Sequence, residues 1–116
     1  MEKLKLTGIG SKDNVPYFGT YRSYFKIKKD KNLIGLLAYL LLKCDFDDNP
    51  YLNDYQIENK QIEKFVDCED NYTNTNFDID IIFGDKEIIL VVRTKTEKHK
   101  QFVNSIIDKY CEVSKR

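Results

Sequence analysis

The chain has 116 residues, which is long enough for one domain whose hydrophobic core needs neither disulfides nor metal. Hydrophobic residues make up 41% of it and charged residues 33%, which excludes an intrinsically disordered chain. Nineteen basic and nineteen acidic residues cancel, which excludes a uniformly basic domain of the kind that coats nucleic acid. We therefore predict a single domain spanning residues 1–116.

Two strands and a buried helix are predicted in the first third of the chain. The alternating stretch "KLKLTGI" indicates the first strand, and the second half of "YFGTYRSYFKIKK" indicates the second. Asn32 can cap the helix that follows, which runs from Leu33 to about Lys43. Because this helix is apolar nearly all round, it should lie at the centre of the core.

A short helix and a hairpin are predicted in the middle of the chain. The helix covers about residues 59–67, where the apolar residues have helical spacing. The polar run "CEDNYTNTN" that follows predicts a loop. Next, "FDIDIIF" and "EIILVVRTK", separated by "GDK", predict a β-hairpin with a tight turn at Gly84 and Asp85.

The last predicted element is an amphipathic helix over about residues 98–113. Five apolar side chains form one stripe along it: Phe102, Val103, Ile106, Ile107 and Tyr110. The predicted fold class is therefore α+β. We expect an antiparallel or mixed sheet with a C-terminal β-hairpin, packed against the central apolar helix and this amphipathic helix.

Neither a membrane span nor a disulfide framework is predicted. The longest apolar run, residues 33–42, has ten residues, whereas a bilayer requires roughly 20. The stretch "MEKLKLTGIG" lacks the apolar run of a signal peptide, and the three cysteines are widely spaced without a CxxC pair. We therefore expect a cytoplasmic protein with free thiols and no zinc.

Charge is distributed unevenly along the chain, although its sum is zero. Residues 1–44 hold nine basic and three acidic groups, residues 45–87 hold three and thirteen, and residues 88–116 hold seven and three. The three segments therefore carry net charges of +6, −10 and +4. Such asymmetry bears on partners, and an acidic surface attracts a basic protein while it repels the phosphates of nucleic acids.

Aromatic rings are interleaved with the acids of the middle segment, and protein interfaces favour aromatic anchors. We predict that this segment binds a basic protein partner. The predicted binding residues are Asp45, Phe46, Asp47, Asp48, Tyr51, Asp54, Tyr55, Glu58, Glu63, Asp67, Glu69, Asp70 and Tyr72. The alternative is a solvated acidic face whose rings belong to the core.

The acidic stretch that begins at Asp45 partly matches an EF-hand calcium loop. Asp45, Asp47 and Asn49 occupy the first three ligand positions of such a loop. Pro50 stands where the loop needs glycine, and Gln56 stands where it needs a bidentate glutamate. The sequence therefore predicts no calcium site of this type, and no metal or cofactor.

The hairpin and the helix after it resemble the core of the PD-(D/E)xK nucleases. That family places an aspartate on one strand and an acidic-x-Lys motif on the next, which bind Mg²⁺ and position water. Asp78 or Asp80 would stand for the aspartate and Lys95 for the lysine, but Arg93 occupies the position of the second acid. Because a cation there has the wrong sign for a metal ligand, we predict a protein that is not an enzyme. A degenerate fold of this type remains the alternative.

No other catalytic signature accompanies these residues. His99 is the only histidine, and it lies in the basic run "KTEKHKQ" at the predicted start of the last helix. The chain contains neither GxGxxG nor GxxxxGK[ST], the glycine-rich motifs that hold nucleotide phosphates. We therefore predict no catalytic residues.

Two basic stretches offer a further alternative, which is binding of single-stranded nucleic acid. "YRSYFKIKKDK" mixes aromatic and cationic side chains, and "RTKTEKHK" adds a second cluster. Rings of this kind stack on bases, and the cations contact phosphates, provided that both stretches lie on one face. The acidic middle segment makes nucleic acid the less favoured partner.

The small size, the single domain, the acidic segment and the absence of catalytic motifs together resemble the small bacterial immunity proteins of polymorphic and contact-dependent inhibition toxin systems. This resemblance implies a cytoplasmic inhibitor that binds its cognate toxin and blocks the toxin's active site or substrate-binding surface. If the toxin is a nuclease, the acids would occupy its phosphate-binding groove.

Overall fold

The computed structural model describes residues 4–10, 21–29, 33–53 and 62–113 of the chain. The elements are β1 (Leu4–Gly10), β2 (Tyr21–Lys28), α1 (Leu33–Lys43), α2 (Pro50–Asn53), β3 (Cys68–Thr73), β4 (Phe77–Phe83), β5 (Glu87–Thr94), α3 (Glu97–Tyr110) and β6 (Cys111–Val113). None of the helices in these ranges is long and apolar enough to cross a membrane.

The six strands form one mixed sheet in the order β3-β4-β5-β2-β1-β6. Neighbouring strands from β3 to β1 are antiparallel, and β6 pairs with β1 in parallel. The α+β prediction is confirmed. The predicted β-hairpin forms the pair β4 and β5 at one side of the sheet, and β2 pairs with β5 next to it.

The hydrophobic core lies on one face of the sheet. Side chains alternate between the two faces along each strand, and those on the core face are the more buried ones. Ile79, Leu90 and Phe25 are cross-strand or diagonal neighbours on this face. They join a cluster with the buried leucines of α1 and with the buried stripe of α3 that includes Ile107. Both long helices therefore pack on the same side of the sheet, as their apolar patterns predict.

The turn of the β4–β5 hairpin is shifted by one residue from its predicted position. The Gly84 N–H donates to the Glu87 carbonyl at 2.9 Å, so Asp85 and Lys86 are the two central residues of the turn. A Cβ on Gly84 would lie 2.9 Å from that same carbonyl oxygen. Glycine is needed here because the backbone of Glu87 approaches so closely.

The loop predicted for "CEDNYTNTN" is wrong, because its first six residues form β3. This strand pairs with β4 along its whole length, from Cys68 opposite Phe83 to Thr73 opposite Asp78. It is an edge strand, and Tyr72 is its one fully buried side chain. An edge strand tolerates polar residues that would read as a loop in isolation.

The predicted end of the last helix is also wrong, since α3 stops at Tyr110 instead of Val113. Cys111 has extended backbone angles, and the three residues from there form β6 beside β1. At the other end, Thr96 caps the helix by accepting the His99 N–H at 3.1 Å.

Two further predictions fall partly on residues that are not described. The capping residue Asn32 lies outside the described residues, as do residues 59–61 of the short predicted helix. Ile62 is helical as predicted, but the prediction is wrong for residues 63–67, which form a turn and an irregular segment. Asp67 ends this segment with a positive φ of 56°.

Candidate partner-binding surface

The acidic loop consists of residues 45–48 and lies between α1 and α2. Its first two residues are hydrogen-bonded to the last turn of α1. The Phe46 N–H donates to the Leu41 carbonyl at 3.0 Å, and the Asp45 N–H donates to the Leu42 carbonyl at 3.3 Å. Asp45 has a positive φ of 63°. Together these features form a Schellman motif, which ends the helix and satisfies its last carbonyls. The motif turns the chain so that the loop begins at the surface.

The described aromatic rings of the predicted site, those of Phe46, Tyr51 and Tyr72, point inward. Tyr51 is 6% exposed and Tyr72 is 9% exposed, and both belong to the core cluster. Phe46 is half-buried, with its ring centroid 6.0 Å from that of Tyr72. These rings therefore hold the acidic loop and α2 against β3, and they are not exposed anchors for a partner.

Two tyrosine hydroxyls lie beneath the acidic loop in a setting that keeps them protonated. The Tyr51 hydroxyl donates to the Asp70 carboxylate at 2.8 Å. Burial raises the pKa of Tyr51, and the hydrogen bond to Asp70 raises it further. Burial also raises the pKa of Tyr72, as do the charges of Asp70 and Asp48. The structure thus brings Asp48 of the loop and Asp70 of β3 together around one ring.

Most of the described carboxylates of the predicted site are exposed. Those on the surface are Asp45, Asp47, Asp48, Glu63, Asp67 and Glu69, whereas Asp70 is half-buried. The Asn74 side-chain amide donates to the Cys44 carbonyl at 2.7 Å and so ties the loop to the turn between β3 and β4. The predicted residues Asp54, Tyr55 and Glu58 lie outside the described residues.

Two exposed leucines flank the acidic loop, and the sequence did not single them out. Leu42 at the end of α1 and Leu52 in α2 are each 52% exposed. The Asn49 side chain donates to the Ala38 carbonyl at 2.8 Å and holds the start of α2 beside α1. Because α1 is apolar nearly all round, its sequence gave no signal that Leu42 faces outward.

The aspartates of the nuclease-like alternative lie on the opposite face of the sheet and already have fixed partners. Arg93 donates to Asp80 at 2.6 Å and lies 3.6 Å from Asp78. The Asn71 amide donates to both carboxylates, at 2.6 and 2.9 Å. Burial raises the pKa of Asp80, but the hydrogen bonds from Arg93 and Asn71 outweigh it and hold the pKa below its usual value.

The described cations of the two basic stretches do not all lie at the surface. Arg22 and Arg93 are cross-strand neighbours on β2 and β5. Lys29, in contrast, is 8% exposed, and its ammonium donates to the Phe65 carbonyl at 2.5 Å. Lys100 is 4% exposed. Each stretch therefore turns one of its lysines into the protein.

His99 packs locally at the start of α3. The His99 imidazole lies 2.7 Å from the Thr96 hydroxyl and packs against the Phe77 ring.

Burial raises the pKa of the Cys44 thiol to about 12, and the charge of Asp45 adds to this effect. Within the described part of the chain, no group of three or more histidine, cysteine or acidic side chains is placed to hold a metal ion.

The chain matches no known family model, no curated protein and no solved structure.

Proposed function

We propose that the chain is an inhibitor that binds a basic protein partner through its acidic loop and the neighbouring β3 edge. By resemblance, the partner is a bacterial toxin, and the chain is its immunity protein. The observation that carries the proposal is an excess of exposed acid beside exposed apolar side chains. Residues 45–53 and 62–73 contain seven acidic residues and one basic residue, Lys64.

The arrangement differs from an ordinary solvated face in two respects. None of the carboxylates of the acidic loop forms an ion pair with another described residue, whereas Asp80 is neutralised by Arg93. Leu42 and Leu52, at either end of the loop, are more than half exposed. A partner that covers the loop would desolvate these leucines, and the carboxylates would steer its approach.

Inhibition would follow from coverage of the partner's cationic site. If the toxin is a nuclease, its active site binds phosphates, and a row of carboxylates on a supported loop competes for the same cations. The buried rings of Tyr51 and Tyr72 beneath the loop reduce the conformational entropy that the loop loses on binding.

The test measures association between the purified chain and the toxin domain encoded by the gene next to its own. The variant Asp47→Lys/Asp48→Lys reverses two exposed charges of the loop. We expect the association rate at low salt to fall at least tenfold, roughly the scale of electrostatic steering between proteins. The difference should shrink as salt is added, because ions screen exposed charges.

The matched control is Asp85→Lys/Asp108→Lys, which makes the same change in net charge at exposed positions on the hairpin turn and on α3. Its association rate should stay near that of the unchanged chain. Equal effects of the two variants would mean that total charge matters and the acidic loop does not, and the proposal would then fail.

A further inference from the structure

The face of the sheet that lies opposite the helices has a surface of its own. Along each strand its side chains alternate with those of the core. Ser23 points to the core side, where it donates to Asn104 of α3, so Arg22 and Tyr24 point to the other side. Val91 on this second face is 4% exposed but does not belong to the core cluster.

Strand register arranges the second face in three rows that cross β3, β4, β5 and β2. The first row is Glu69, Ile82, Ile89 and Lys26. The second row is Asn71, Asp80, Val91 and Tyr24. The third row is Thr73, Asp78, Arg93 and Arg22.

Charge changes sign across these rows. The acids Glu69, Asp78 and Asp80 lie on β3 and β4, and the cations Arg93, Lys26 and Arg22 lie on β5 and β2. In the first row Ile82 and Ile89 separate Glu69 from Lys26, whereas in the third row Asp78 lies beside Arg93. Ile82 and Ile89 are half-buried cross-strand neighbours, and they line an open concavity of about 500 Å³ beside the hairpin turn.

This pattern is complementary to itself. Consider two copies whose second faces pack together, related by a two-fold axis that runs parallel to the strands above the gap between β4 and β5. This rotation places β3 of one copy over β2 of the other, and each row faces the same row of the other copy. Glu69 then faces Lys26 of the second copy. Asp78 faces Arg93 of the second copy, which also keeps its pair with Asp80 of its own chain. Ile82 faces Ile89 at the centre. Two sheets that pack face to face with aligned strands have this arrangement, with an angle of roughly 30° from their twist.

We propose that the second face binds a second copy of this chain and forms a symmetric dimer. The acidic half of the face repels nucleic acid, and an unrelated partner would need the reverse charge gradient at the same spacing. The chain itself carries that gradient. The acidic loop follows α1 on the other side of the sheet, so the dimer would leave it accessible.

Sedimentation velocity of the full chain tests this proposal across micromolar concentrations. At low salt we expect a species of twice the 13.7 kDa chain mass. Glu69→Lys and Lys26→Glu each place like charges opposite each other in the dimer. Each should weaken dimerisation at least tenfold, roughly what like-charge contacts cost at interfaces. Both positions are exposed, so both variants should fold, which circular dichroism verifies.

The double variant Glu69→Lys/Lys26→Glu restores opposite charges and should recover a dimer of near-original stability. Asp108→Lys and Lys109→Glu on α3 make the same charge changes away from the second face and should leave the dimer unchanged. A monomer at all concentrations, a dimer that ignores both single reversals, or a double variant that stays monomeric would each overturn the proposal.

Discussion

At the scale of single residues, Tyr51 connects the core to the acidic surface. Its ring is 6% exposed, and its hydroxyl reaches the half-buried carboxylate of Asp70 at 2.8 Å. Because the pKa of Tyr51 is raised by burial and by this contact, the hydroxyl remains a donor at neutral pH. The hydrogen bond from Tyr51 therefore fixes the position of the Asp70 carboxylate, and it also connects α2 to β3.

Replacing Tyr51 with phenylalanine should lower the free energy of unfolding by about 1.5–3 kcal/mol, the usual value of a hydrogen bond to a charged group. The ring and its packing stay, so the variant loses only the contacts of the hydroxyl with Asp70 and with the Tyr72 hydroxyl. Urea unfolding measures the change. The control is Tyr110→Phe, because Tyr110 packs against Tyr39 and no hydrogen bond of its hydroxyl occurs in the described structure. Similar losses in both variants would contradict this role of the Tyr51 hydroxyl.

At the scale of elements, α1 ends in a left-handed backbone conformation at Asp45, which is less favourable for aspartate than for glycine. Asp45 has a φ of 63°, a conformation that costs L-residues about 1–2 kcal/mol and glycine almost nothing. Its carboxylate also lies at the negative end of the helix dipole. A glycine is the usual residue at this position of a Schellman motif.

We expect Asp45→Gly to raise the free energy of unfolding by roughly 1 kcal/mol relative to Asp45→Ala. Both variants remove the carboxylate, so the difference between them isolates the backbone conformation. Thermal and urea unfolding of the two variants give this difference. If alanine and glycine are equally stable at this position, the left-handed conformation carries no measurable cost.

The elements that could be predicted well are those whose hydrophobic pattern is visible in the segment alone, without its neighbours in the fold. Leu33–Lys43 is apolar except for its last residue, and Phe77–Phe83 alternates strictly, so α1 and β4 follow from local rules. Cys68–Thr73 has no such pattern, because an edge strand gains its hydrogen bonds from β4 and buries only Tyr72 fully. Cys111–Val113 is extended because β1 lies beside it, which is a contact with the other end of the chain.

At the scale of the whole molecule, the acidic middle segment divides between two surfaces. The sequence fixes how many acids it contains, but the sheet decides which of them meet. Asp48 joins Asp70 at Tyr72 on the side of the helices, whereas Asp78 and Asp80 lie on the second face beside Arg93. Whether a ring points inward could not be predicted either, since tyrosine suits both a core and an interface.

This division has a functional consequence for the two proposed contacts. The carboxylates of the acidic loop lack ion-pair partners among the described residues, so they would attract the proposed basic partner at long range. On the second face, acids and cations lie in neighbouring strands and largely cancel, which favours a short-range fit to an identical surface. Salt should therefore slow the encounter with a toxin more strongly than it weakens the dimer.

The stability of the whole fold should depend on alkaline pH, because several buried groups are held protonated. The pKa of Cys44 is raised from 9.0 to about 12, and those of Tyr51 and Tyr72 are raised above 10.0. A group whose pKa is raised by folding stabilises the fold below its unfolded pKa and loses that contribution as pH rises toward its folded pKa. The free energy of unfolding should therefore be level near neutral pH and fall from about pH 9 upward.

Cys44 should contribute to the first part of this fall, between about pH 9 and 10, because the tyrosines contribute mainly above 10.0. Its full contribution, reached near pH 12, is on the order of 4 kcal/mol. In Cys44→Ala the urea midpoint should fall less steeply in this interval than it does in the unchanged chain. Cys68→Ala removes an exposed thiol and should retain the original fall. If Cys44→Ala loses stability as steeply as the unchanged chain in this interval, some other group releases the proton on unfolding.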